Sequence, residues 1–169
     1  LQSDIYIVFG SSFIKNNLLD YLMKKNTINI HMGVSPFYRG TDCNFWALYD
    51  ENPHLVGSTI HLLSNSLDSG PILYHAMSNI KKDPFNYTMS TVMSAFVSIA
   101  NKIKDNSIFN IKPAEQIDKL EIRYSKRKDF NDKILNSFFN KEIDLNKKKI
   151  NKELLKDPFI LENSSDYFN

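Results

Sequence analysis

The sequence predicts an α/β domain with a mostly parallel sheet flanked by helices, and three observations carry that expectation. A short, nearly continuous apolar run rich in β-branched and aromatic residues lies at Asp4–Phe9, and a second short strand follows at Ile28–His31. The first run suits a parallel strand buried on both faces. Segments with apolar residues at helical spacing lie between and after them, at Phe13–Lys25 and Phe85–Lys104. All five glycines (10, 33, 40, 57 and 70) and all four histidines fall between residues 10 and 75. Glycine gives backbone shapes that other residues resist, so a defined site is expected in that stretch.

Taken in order, Asp4–Phe9 reads as a buried strand and Gly10-Ser11-Ser12 as the turn after it. Ile14, Leu18, Leu19, Leu22 and Met23 give Phe13–Lys25 one helical face. Ile28–His31 is a second strand, and residues 31–42 are loop-like around Gly33, Pro36 and Gly40. Asn44 is the expected N-cap of a short helix over Phe45–Tyr49. Val56–Leu63 and Ile72–Ile80 read as strands joined by the Asp68-Ser69-Gly70-Pro71 turn. In Phe85–Lys104, the expected buried stripe is Met89, Val92, Met93, Phe96, Val97, Ala100 and Ile103. Pro113 ends the regular pattern. Residues 113–169 form a polar extension, helical in part over Phe130–Phe139, with a solvated Lys147–Lys149 run and a mobile Asn- and Ser-rich end. The expected division is therefore a core over 1–112 and an extension over 113–169.

Composition narrows the function. The chain has 169 residues, 42% of them hydrophobic, enough for one domain with a real core. A net charge of +2 gives no general reason to expect nucleic acid or a membrane surface as partner. No apolar run reaches the roughly 20 residues that span a bilayer. Cys43 is the single cysteine, which excludes an intrachain disulfide and suits a reducing cytoplasm. Its surroundings hold no basic cluster, so an inert thiol is expected. His54, His61 and His75 match no common zinc spacing, and no metal is expected. Trp46 and Phe45 are expected in the core.

Asn29 and His31 stand two apart on a strand and so face one side. An amide N–H and an imidazolium there can both donate to one developing oxyanion. A carboxylate nearby supports the protonated histidine and can relay protons. Asp68, in a turn that can reach the same sheet edge, supplies it. The set suits attack on a carbonyl-type carbon by a nucleophile that must lose a proton.

Asn29-x-His31, then Tyr38-Arg39-Gly40, then Leu67-Asp68-Ser69-Gly70-Pro71-Ile72 resemble the signatures of the folate-dependent formyltransferases. That family includes the methionyl-tRNA, glycinamide ribonucleotide and amino-sugar N-formyltransferases. The resemblance covers roughly residues 4 to 105, in the family's order. It implies a Rossmann-like formyltransferase fold, N-terminally truncated here, since the family opens with further βα units before such a strand. It also implies a catalytic set of Asn29, His31 and Asp68, with 10-formyltetrahydrofolate as formyl donor. Ser12, Phe13 and Ile14 would line the folate head group, and the Asn65-Ser66-Leu67 turn would offer backbone groups to the pterin. Met32 stands where the family usually has Pro, with Pro36 arriving slightly later. Arg39, with Tyr38, is the substrate-binding candidate, by a bidentate contact to an anionic group. A loop pinned to a carboxylate by Arg39 is the competing structural reading.

The expected acceptor is a primary amine on a nucleotide-linked amino sugar, because the Ser35–Trp46 stretch looks closest to the sugar-modifying branch. Methionyl-tRNA and glycinamide ribonucleotide are the alternative acceptors. The short polar extension argues against tRNA. Hydrolysis of formyltetrahydrofolate, and an inactive module that keeps the fold, are the readings from other classes. A homodimer stays open.

Overall fold

A computed structural model describes residues 3–145 and 148–162. Part of the Lys147–Lys149 run and most of the Asn- and Ser-rich end lie outside the described residues. In chain order the main elements are β1 (Ile7–Phe9), α1 (Asn16–Lys24), β2 (Ile28–His31), β3 (Tyr38–Gly40), α2 (Cys43–Tyr49), β4 (Ser58–Leu62), β5 (Ile72–Ser78), α3 (Pro84–Lys104), β6 (Arg123–Ser125), α4 (Asp132–Phe139) and β7 (Phe159–Leu161).

Five strands form the main sheet in the order β1-β2-β4-β5-β7. β1 runs parallel to β2, β5 runs parallel to β7, and β4 is antiparallel to both of its neighbours. Four of the five strands therefore point one way, and β4 alone is reversed. The mostly parallel sheet flanked by helices is the one the sequence predicts. β3 and β6 make a separate two-stranded parallel sheet. Two apolar clusters hold the layers together. One gathers Trp46, Leu48, Leu55, Met77 and Tyr87, and the other gathers Ile28, Ile60, Tyr74, Ala95 and Ile99. Among the described residues no helix is long and apolar enough to cross a membrane.

Three local expectations are corrected. The loop after His31 contains β3, too short for periodicity to reveal; it forms because β6, over 80 residues later, pairs with it. The N-cap of α2 is Asp42, in a left-handed conformation with φ 57°, and Asn44 lies inside the helix. Asn44 serves other groups instead. Its Oδ1 accepts the Gly57 N–H at 2.9 Å, and its Nδ2 donates to Thr91 Oγ1 at 3.2 Å.

The buried stripe of α3 is also rotated. Tyr87, Thr91, Val92, Ser94, Ala95, Ser98 and Ile99 are buried, while Phe96 is 41% exposed. Most polar atoms of the hydroxyl-bearing face find partners close by, while Ser94 Oγ has none among the described residues. Thr91 Oγ1 donates to Thr88 O, Ser98 Oγ donates to Ala95 O, and Tyr74 OH lies 3.0 Å from Ser98 Oγ. Small side chains on that face also let the helix approach β4 and β5 closely. Phe96 instead meets the edge of Phe9, with ring centroids 4.9 Å apart. The Asp83 carboxylate caps α3 by accepting the Asn86 N–H at 2.7 Å.

The stretch beyond residue 112 is knitted into both sheets. β6 pairs with β3 and β7 pairs with β5. Phe138, Leu145 and Leu155 are buried in the cluster around Trp46. His75 adds a polar clamp: its Nε2 lies 2.9 Å from Ser35 O, and its Nδ1 accepts the Lys156 N–H at 2.9 Å.

Candidate active site

A cavity of about 670 Å³ opens beside the C-terminal ends of β1 and β2. In open α/β sheets that edge is where ligands bind. Its wall includes Gly10 to Ile14, Asn29 to Met32, Gly40 to Phe45, His61 and Asp68. The size is within the range of small-molecule pockets, roughly 300–1,000 Å³.

The structure brings Asn29, His31 and Asp68 together. Asn29 and His31 come from β2, and Asp68 comes from the turn between β4 and β5. His31 Nδ1 lies 3.3 Å from Asp68 Oδ2, and both side chains are buried. The same Oδ2 accepts the Gly40 N–H at 3.1 Å. His31 Nε2 faces the carbonyl oxygen of Tyr38 at 3.1 Å. Both ring nitrogens of His31 thus meet acceptors. The expectation that His31 and Asn29 donate side by side to an oxyanion is therefore modified: in this structure the outer nitrogen of His31 is engaged by backbone.

Two glycines make this approach possible. Gly40 has φ 97°, and a Cβ there would lie 1.9 Å from Ser125 O. Any side chain would push β6 away and carry the Gly40 N–H from the Asp68 carboxylate. A Cβ on Gly70 would lie 1.8 Å from Leu62 O, so the turn can press against β4 only with glycine there.

Asp68 itself has φ 52°. Asp tolerates that left-handed conformation better than most residues. Gln116 pins it: Nε2 donates to Asp68 O at 2.8 Å and to Gly70 O at 2.7 Å. Arg39 holds Gln116 in turn, with Nε at 3.0 Å and Nη2 at 2.9 Å from Gln116 Oε1. The guanidinium completes its bonds on Asp118 at 2.8 Å and Glu121 at 3.3 Å. Arg39 is therefore committed to carboxylates and does not line the cavity, which corrects its assignment as a substrate contact. Tyr38 is corrected likewise. Its hydroxyl accepts from Asn52 Nδ2 at 2.8 Å and faces Asp50, and burial raises its pKa to about 12. Sequence reasoning missed Gln116; it sits in the polar stretch, and no local pattern marks it.

Of the residues expected at a folate head group, Ser12, Phe13, Ile14, Ser66 and Leu67 line the cavity. Asn65 lies on a neighbouring, smaller depression with Phe13 and Tyr124. The pocket suits a flat heteroaromatic ring in kind, with apolar walls from Phe13, Ile14, Leu19 and Leu63 and turn backbone around Ser66. Cys43 also lines the cavity, and burial pushes its thiol pKa up, away from a reactive thiolate. Among the described residues no group of three His, Cys, Asp or Glu side chains converges with metal-ligand geometry.

His61 is the residue the sequence undervalued. It is 1% exposed, on β4 directly opposite Asn29 of β2. Its Nε2 lies 3.0 Å from Asn29 Nδ2, and its Nδ1 lies 2.8 Å from Leu62 O. Burial first, and the nearby His31 second, lower its pKa to about 4. Antiparallel register was the missing signal, because it places His61 beside Asn29.

These features define an α/β protein with an Asn-His-Asp cluster at the ligand-binding edge of its sheet. The sequence matches the formyl transferase family over residues 2–104, more than half of the chain, and the chain belongs to that family. Solved structures agree in fold. The formyltransferase PseJ from Anoxybacillus kamchatkensis, solved with a UDP-linked formamido sugar and tetrahydrofolate, is 23% identical. The match covers 75% of this chain and 66% of that one, with a TM-score of 0.56. A sugar N-formyltransferase from Shewanella is 25% identical over 62% of this chain and 42% of that one, with a TM-score of 0.52. Phosphoribosylglycinamide formyltransferase from Anaplasma phagocytophilum is 20% identical over 73% and 63%, with a TM-score of 0.55. The chain spans less than two thirds of each of these proteins.

Proposed function

We propose that the protein transfers a formyl group from 10-formyltetrahydrofolate to a primary amine, with a nucleotide-linked amino sugar as acceptor. The observation that carries this is the juxtaposition, in one cavity, of Asn29, His31 and Asp68, with His31 Nδ1 held 3.3 Å from the carboxylate. The donor supplies an electrophilic formyl carbon. Asn29 stabilises negative charge on the formyl oxygen through its amide N–H. As the amine nitrogen bonds to the formyl carbon and the C–N10 bond breaks, the proton the amine loses passes by way of the Asp68 carboxylate, which His31 supports, to N10 of the departing tetrahydrofolate. Ser12, Phe13, Ile14, Ser66 and Leu67 hold the folate head group, with Asn65 at its rim. The acceptor follows from the Ser35–Trp46 stretch and is supported by the sugar formyltransferases among the structural neighbours.

The test offers the protein 10-formyltetrahydrofolate with a panel of acceptors: an amino-sugar nucleotide, glycinamide ribonucleotide, methionyl-tRNA, or none. Formamide product on the amino-sugar nucleotide, with little free formate, is expected. Formate released at one rate with and without any amine would favour the hydrolase and contradict transfer. Product on another acceptor alone would keep the chemistry and replace the substrate.

A further inference from the structure

Asn29 can serve an oxyanion only if it presents an N–H, because its amide oxygen in the same place would repel the developing charge. A side-chain amide is nearly symmetric in shape, so packing alone does not choose between the two orientations. The hydrogen-bond chain around His61 does choose. Leu62 O is a carbonyl and can only accept, so the His61 Nδ1 that faces it at 2.8 Å carries the hydrogen. In a neutral imidazole the other nitrogen is then a bare acceptor. The group 3.0 Å from that Nε2 must be a donor, and it is the Asn29 amide nitrogen. One hydrogen of the Asn29 NH₂ is spent on His61, and the second is left for the cavity that Asn29 lines.

We propose that His61 is a positioning residue: tethered to Leu62 O as its Nδ1–H tautomer, it fixes the Asn29 amide so that an N–H, not the amide oxygen, is presented to the reacting carbonyl. The proposal rests on the formyl-transfer reading for its consequence and on geometry alone for the orientation. Every charged group facing His61 bears on its protonation. Asp68 Oδ1, 3.9 Å from Nε2, favours the cation but stands beyond hydrogen-bond reach. Burial, His31 and Arg39 all favour the neutral ring. A protonated His61 would turn Nε2 into a donor and reverse Asn29. Gly70 guards the tether, since a Cβ there would strike the Leu62 carbonyl oxygen that holds His61.

The tautomer is read directly in the unaltered protein, from the ring ¹⁵N shifts of His61 at neutral pH. A protonated Nδ1 and a bare Nε2 are expected, together with an Asn29 side-chain amide carrying one strongly low-field proton. A protonated Nε2 overturns the proposal without any variant. Two substitutions separate positioning from packing. Gln carries its terminal carbonyl oxygen out to the reach of Nε2, whereas Asn reaches only as far as Nδ1. His61→Asn should lose the low-field Asn29 proton and lower kcat by an order of 10²-fold, comparable to losing one oxyanion donor, with KM for the folate donor unchanged. His61→Gln should retain the proton and rescue most of kcat. Equal losses in both variants, with folded spectra, would reduce His61 to packing and overturn the proposal. An intact Asn29 signature in a protein that transfers no formyl group would sink the formyltransferase reading and leave the orientation of Asn29 standing.

Discussion

Residues 28–72 and residues 113–161 reach the same cavity wall by different routes. The first stretch carries Asn29, His31, Gly40, His61, Asp68 and Gly70 in compact motifs whose residue types announce proton chemistry and tight turns. The second carries no proposed catalytic group. It supplies Gln116 to the backbone of Asp68 and Gly70, Asp118 and Glu121 to Arg39, and Ser125 to the back of Gly40. Chemistry is thus written locally and its support is written at long range. An Asp held at φ 52° keeps its carboxylate on His31 because a glutamine 48 positions away ties down its carbonyl.

The largest effect is expected from removing the second stretch. A chain ending at residue 112 loses β6, β7, the Arg39 partners and the buried Leu145 and Leu155. It should show no cooperative urea transition; a sharp one would mean that residues 1–112 stand alone. Gly40→Ala attacks the junction of the two stretches. It combines φ 97° with a clash on Ser125 O and should cost about 3 kcal/mol in chemical denaturation. Arg39→Ala should cost about 2 kcal/mol, from the unpaired Gln116 and lost packing rather than from Asp118, which is 83% exposed. Arg39→Lys should not restore it, because one ammonium cannot span three acceptors held by a planar fork.

The pH dependence of stability gives a graded effect. His61 and His75 are both buried, and burial lowers the pKa of each below its ordinary value of 6.5. Each is neutral in the folded protein and takes up a proton on unfolding below that value. Their contribution is full above about pH 6.5 and is lost as the pH falls toward the folded value, about 4 for His61. The expected slope in that window is about 1.4 kcal/mol per pH unit for His61, and His75 adds to it in the same direction. Denaturation curves across the window check it, and His61→Gln should remove one proton's share of the slope. Smallest of all, Asp83→Ala removes the cap of α3, and Asp83 itself does not line the cavity. The substitution should cost about 1 kcal/mol with formyl transfer unaffected.

Much of the first stretch was legible because its signals are local. The short Ile28–His31 segment marked β2, and beyond this stretch helical spacing marked α3. The order of Asn29-x-His31, Tyr38-Arg39-Gly40 and Asp68-Ser69-Gly70 marked the site. What was not legible depends on pairing across distance. β3 forms because β6 comes back to it. The buried face of α3 differs from the expected one because hydropathy ranks Phe96 above Ser94 and Ser98, while the helix–sheet contact selects small residues, of which Ser98 bonds within reach. Arg39 matched an anion-binding side chain in type, and its partners Asp118 and Glu121 appear only when the chain folds back. His61 was one of four histidines until register set it against Asn29.

Asn29, His31 and Asp68 are proposed to act together on a folate-bound formyl group. The most direct measurement follows a ¹³C-labelled formyl carbon from 10-formyltetrahydrofolate to an amino-sugar nucleotide, with the unaltered protein and with His31→Ala. Label on the amine is expected with the unaltered protein. In the variant the rate should fall by roughly 10²–10⁴-fold, with the folded spectrum and folate binding retained. Near-normal label transfer by His31→Ala would contradict this assignment.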